Sequence, residues 1–167
     1  PSRPAPDLPE HPLAEGDEFQ AGDRTAFRAV SDWYANADLL LRSVSRHMPE
    51  AEEPRCWPHH LDHATLSILS RDSGGRMSAT IGVGLTPPDG IEGAGYWYVG
   101  PWTVEPGDST RDWPDLPSGR WEHRPGTMPL AVLALDEVSA VEGRDSQQER
   151  VAHFVATAVN SCLDRLG

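Results

Sequence analysis

The stretch Cys56-Trp57-Pro58-His59-His60-Leu61-Asp62-His63-Ala64 carries the densest set of chemically active groups in the chain: three histidines and one aspartate fall within five residues. Imidazole and carboxylate side by side support two chemistries. A divalent metal such as zinc takes neutral imidazoles and a carboxylate at about 2.0–2.2 Å. A carboxylate hydrogen-bonded to an imidazole instead fixes its tautomer and raises its basicity, which makes a general base.

Spacing decides which groups can meet. If residues 57–64 are extended, His59 and His63 share one face, and His60 and Asp62 share the other with Ala64, Leu66 and Ile68. If the segment is a helical turn, His59, Asp62 and His63 fall on one side. Pro58 fits either only near an element's first residue. For a metal, His59-x-x-Asp62-His63 has the spacing of the inverted zinc-protease motif with Asp in place of Glu. His60-x-Asp62-His63 overlaps the metallo-β-lactamase pattern H-x-H-x-D-H, except that Pro58 holds its first position. Both motifs belong to longer chains and need a distant ligand. His123 is the best remote candidate, so the metal set is His59, His63 and His123. For acid–base work the pair is His60 and Asp62. No G-x-S-x-G elbow supplies a nucleophile, and Cys56, close to the histidines, has a sulfur that sequence alone does not place. A plainer reading also fits: Asp62 caps backbone N–H groups at a strand entrance, and the histidines form a rim on Trp57.

A second constellation lies downstream. Gly82 and Gly84 strip side chains from one face of a strand, and Tyr96, Trp97 and Tyr98 follow on the next. Small residues facing large ones either interlock or leave an aromatic-lined groove with polar groups at its mouth. Trp57, His59, Trp102 and Trp121 complete the expected ligand-binding set.

These groups need a scaffold. Apolar residues from Ala26 through Val44 recur at helical spacing, predicting a helix over 23–47 capped by Asp23 or Thr25. Residues 64–69 and 77–85 alternate like half-buried strands around the turn Arg71–Arg76. Residues 95–100 read as another strand. Residues 119–124 and 127–135 read as a further hairpin around Pro125-Gly126, followed by a helical turn near Asp136–Ala140. Val151, Phe154, Val155, Ala158, Val159, Cys162, Leu163 and Leu166 form the stripe of a last helix, with Ser146 and Glu149 spaced as a capping box. Residues 1–22, rich in proline, read as an extended arm, and 23–167 as one domain. Residues 101–118 form a long loop of the kind usually functional or tied down by its own side chains. The expectation is an α+β fold: an antiparallel sheet of four to five strands packed against an N-terminal and a C-terminal helix.

Composition narrows the partners. The chain has 167 residues, 26 acids against 14 bases, and a formal net charge of −12. Binding a phosphate backbone needs a positive stripe, so neither nucleic acid nor an anionic membrane is an expected partner. No run approaches the roughly 18 apolar residues that span a bilayer. All the bases are arginine, which removes lysine Schiff bases, P-loop lysines and Ser-Lys dyads. Two cysteines make no disulfide framework or four-cysteine zinc site. With no basic-then-apolar leader visible, a reduced, cytoplasmic setting is expected.

Three features resemble a known family: Leu61-Asp62-His63-Ala64 entering a strand, the aromatic strand running into proline in Gly95–Trp102, and the apolar run, acidic turn and final amphipathic helix. Over residues 55–165 the chain resembles the C-terminal half of a bacterial family catalogued as a domain of unknown function. That family keeps an acid at the position of Asp62. With no activity established for it, the resemblance implies architecture and no chemistry.

The functional expectation is a module binding a small molecule in the aromatic groove beside the His/Asp cluster. The alternatives are a metal-assisted or acid–base enzyme using that cluster, and a homodimeric interaction protein that covers an open sheet face.

Overall fold

The computed structural model describes residues 22–58, 60–104, 113–123 and 125–166. The expectations for the arm, for His59 and for the middle of the long loop lie outside the described residues. The chain divides into two compact units, Pro1–Asp32 and Trp33–Gly167.

In the first unit, the described residues open helix α1 (Arg24–Ser45). Asp23 is its N-cap: Oδ1 accepts the Thr25 backbone N–H at 2.8 Å, satisfying one of the donors a helix start leaves unpaired. Phe27 and Val30 on these first turns are exposed.

The second unit holds the rest of α1 and a six-stranded sheet. Its strands are β1 (Arg55–Trp57), β2 (Asp62–Arg71), β3 (Met77–Thr86), β4 (Tyr96–Thr103), β5 (Arg120–Glu122) and β6 (Leu130–Ala134). They lie in the order β1-β2-β3-β4-β6-β5, with every neighbouring pair antiparallel. Helices α2 (Leu135–Ser139) and α3 (Arg144–Leu166) follow. The fold is α+β, with one strand beyond the expected four to five. The extra strand is β1, three residues long and too short to show a period.

Strand parity builds the core. In β3, Ile81, Val83 and Leu85 point to the helix side and are buried. Trp97 and Val99 of β4, with Ala131 and Leu133 of β6, continue that surface. The stripe of α3 packs on it through Val151, Phe154, Val155, Ala158 and Val159, and the Trp33–Ser45 part of α1 adds Ala37 and Leu41. β6 enters between β4 and β5, so the most apolar run occupies an inner position and the short polar β5 takes the edge. Edge strands stay short and charged for good reason, since a long apolar edge invites further pairing.

The last helix starts earlier than its expected capping box. Gly143, at φ 89°, makes the turn, and α3 begins at Arg144. Ser146 therefore lies inside the first turn, not at the cap. The Gln147 side chain closes the preceding loop, donating to the Val141 carbonyl at 2.9 Å. Among the described residues no helix is long and apolar enough to cross a membrane.

Candidate functional site

The opening stretch is a hairpin. β1 ends at Trp57, and the Leu61 N–H returns to the Trp57 carbonyl at 2.8 Å. Leu61 adopts φ 58°, a left-handed conformation that reverses the chain before β2 begins at Asp62. The segment is thus not a continuous strand: an i→i+4 bond closes one turn between β1 and β2, and Pro58 sits at its start, where its missing N–H costs nothing. His60 is exposed on the turn. His60 lies outside β2, so the strand alternation expected to set it beside Asp62 does not extend to it.

The sheet then separates the remaining groups. Asp62 points to the face opposite the helices, where it accepts the Tyr98 hydroxyl. Burial, and then this hydrogen bond, raise Tyr98 above the ordinary phenol range. Trp57 pairs with Asp62 across the hairpin and so shares its face; the Arg55 guanidinium covers its ring at 4.1 Å. His63 points the other way, and its Nε2 meets Asp38 Oδ1 of α1 at 3.1 Å. His123 follows β5, at the far edge from β1. Four strand spacings separate β2 from β5, about 19 Å along the sheet, so His63 and His123 do not share one ion. The expected centre of His59, His63 and His123 is not assembled, His59 being outside the described residues. Among those residues no group of three His, Cys, Asp or Glu side chains is placed to hold a metal.

The glycine hollow is filled. Tyr98 lies over Gly84, where an added Cβ would meet Ala64 Cβ at 2.7 Å and the Tyr98 ring at 2.8 Å. A Cβ added at Gly82 would lie 3.8 Å from the same ring. Aromatic and glycine interlock, and the expected groove over Gly82 and Gly84 is closed by its own wall. Tyr96 is buried beside it, its hydroxyl donating to Asp89 at 2.8 Å. Trp102 is exposed on this face. Trp97 and Trp121 belong to the helix side; Trp121 packs against Trp113 with ring centroids 4.3 Å apart and donates to the Pro114 carbonyl.

The helix side, by contrast, contains a hollow of about 440 Å³ between α1, α2 and α3. Its apolar lining includes Trp33, Leu40, Leu85, Trp97, Leu135 and Val151, and Asn36, Ser43, Arg144, Gln147 and Gln148 supply polar groups. Leu85, Trp97 and Val151 are themselves buried core residues, so the floor is the core surface. Among the described residues expected to bind a ligand, Trp97 alone lines this hollow. Apart from Leu85 of β3, the rest of the lining comes from separate helices whose apposition no local pattern reveals.

Near β1 and β2 a charged chain runs along α1. Arg42 contacts Asp38 at 2.6 Å and Glu53 at 2.6 Å. The Arg42 hydrogen bond, with a further contribution from His63, holds the Asp38 carboxyl below its usual range. Tyr34 packs against His63, ring centroids 6.0 Å apart, and its hydroxyl donates to the Leu61 carbonyl. Burial raises the Tyr34 hydroxyl, and nearby Cys56 and Asp62 add to the shift.

Compared with known proteins, the chain matches no family model, no curated protein and no solved structure.

Proposed function

We propose that this chain is a binding module for a small, mostly apolar molecule with one acidic group, held in the hollow between the three helices. The observation that carries this reading is the hollow itself: about 440 Å³, within the roughly 300–1,000 Å³ usual for small-molecule sites. Its floor of Leu85, Trp97 and Val151 offers apolar contact. Arg144, among the lining groups, supplies the cation, and no described ion pair engages it. A guanidinium presents several donors in a fixed fork that suits a carboxylate. Gln147, Gln148 and Asn36 add hydrogen-bonding groups around the same space.

Dodecanoate, with dodecanol as its uncharged counterpart, tests the reading through tryptophan fluorescence, since Trp33 and Trp97 both line the hollow. The expected result is a saturable change with both probes. Arg144→Gln weakens dodecanoate about five- to tenfold and leaves dodecanol unchanged, the size of one net hydrogen bond at a solvent-exposed group. Ala152→Phe, which fills the lined space, abolishes both. The reading fails if neither probe gives a saturable signal.

A further inference from the structure

The strand register brings together three groups that lie apart in sequence. Cys56 of β1 is the direct partner of His63 of β2. Cross-strand partners project to the same face, with Cβ atoms about 4.5–5.5 Å apart, so the thiol and the imidazole are within side-chain reach. The His63 side chain is 13% exposed, and its Nε2 is engaged by Asp38. That contact fixes the tautomer: Nε2 carries the proton toward the carboxylate, which leaves Nδ1 as the basic nitrogen. Asp38 is in turn fixed by Arg42, which keeps it an acceptor. Cys56 is exposed. A thiol and a carboxylate-oriented imidazole thus stand on paired strands of one face, the groups that thiol activation uses.

We propose that Cys56 is a nucleophilic thiol, with His63 as its base and Asp38 as the positioning residue, and that its reaction partner is a low-molecular-weight disulfide. In the reaction, His63 Nδ1 takes the thiol proton and the Cys56 sulfur attacks one sulfur of the disulfide. The S–S bond breaks, its electron pair leaves with the other sulfur, and that thiolate takes the proton from His63. One thiol and one disulfide give one mixed disulfide and one free thiol, with no further oxidant. Two features select this partner over an acyl compound. Attack on sulfur creates no oxyanion, so it needs no array of N–H donors beside an exposed edge strand. The mixed disulfide also persists: Cys162, the other cysteine of the chain, is fully buried on α3, and burial pushes its thiol up to about 12, so it is not available to resolve the adduct. This inference does not depend on the helix-side hollow.

Dithiodipyridine, a neutral disulfide whose released thione absorbs light, reads the reaction in acidic as well as neutral solution. In the native protein at about pH 6, one thiol per chain reacts quickly, faster than either thiol of the urea-unfolded chain at that pH. Cys56→Ser removes this phase. His63→Ala slows it at least about tenfold and shifts its pH–rate profile to that of an unassisted thiol, while Asp38→Asn slows it about threefold. Mass spectrometry after glutathione disulfide shows one adduct, on Cys56. The proposal is overturned if native Cys56 reacts no faster than the unfolded thiols, a comparison that needs no variant to fold. It is equally overturned if both variants keep the native rate and pH profile.

Discussion

On the helix side of the sheet, Ile81, Val83 and Leu85 meet Phe154, Val155 and Leu41 in a close-packed core, yet a hollow of about 440 Å³ remains between the helices. On the other side no helix is required: Tyr98 lies across Gly84 and donates its hydroxyl to Asp62. One surface is closed by apolar volume from distant elements; on the other, an aromatic is fitted over a glycine and pinned at its tip. The first depends on how much is buried, so it tolerates an imperfect fit between helices. The second depends on a shape match at Gly84 and tolerates no added atom there.

The largest expected effect lies on the helix side. Phe154 is fully buried at the centre of that core, and Phe154→Ala removes its ring and leaves a cavity. The expected cost is about 3–5 kcal/mol, read as a shift in urea midpoint at unchanged slope. A loss below about 1 kcal/mol would mean that the helices collapse into the gap and that the hollow between them is equally adjustable.

The opposite face is broken by addition. Gly84→Ala places a methyl within 2.7–2.8 Å of Ala64 and Tyr98. The ring must shift off Asp62, at an expected cost of about 1–3 kcal/mol. Gly82→Ala, two residues away on the same face, meets nothing closer than 3.8 Å and should stay within about 0.5 kcal/mol. The pair isolates the shape match from any general intolerance of side chains in β3. Equal costs at the two glycines would show that the ring does not determine how this face closes.

The same two faces explain what the sequence reveals. Alternation over β3 and the helical stripe of α3 state their own burial, because each needs only local spacing. Parity also places Asp62 with Ala64, Leu66 and Ile68, as observed. The reading of residues 57–64 goes astray at the turn, because a single left-handed residue, Leu61, resets the count between β1 and β2. Small residues facing aromatics announce close contact over Gly82 and Gly84 but not whether the contact leaves space. Asp38 gives no local signal of its bond to His63, 25 residues away. Cys56 is conspicuous in sequence, yet only the hairpin register sets it opposite an imidazole.

Neighbouring residues on β2 carry the comparison to its finest scale. Asp62 and His63 are adjacent, but one bonds a tyrosine hydroxyl on the far face and the other a carboxylate of α1 on the helix side. Arg42, and after it His63, lower the pKa of Asp38 in the folded chain. A carboxylate lowered on folding contributes stability above its unfolded value, about 3.9, and loses it as pH falls through the folded value. Asp38→Asn lacks that titration. Wild type should therefore exceed the variant in urea midpoint at neutral pH by a small margin, since the side chain is partly exposed and such pairs are screened. The margin should shrink as the solution is acidified below about pH 4. Raising salt should narrow it at neutral pH as well. A difference that stays constant across the acid range would mean that Asp38 acts on the helix-side face through shape and hydrogen bonding alone, as Tyr98 does on the other.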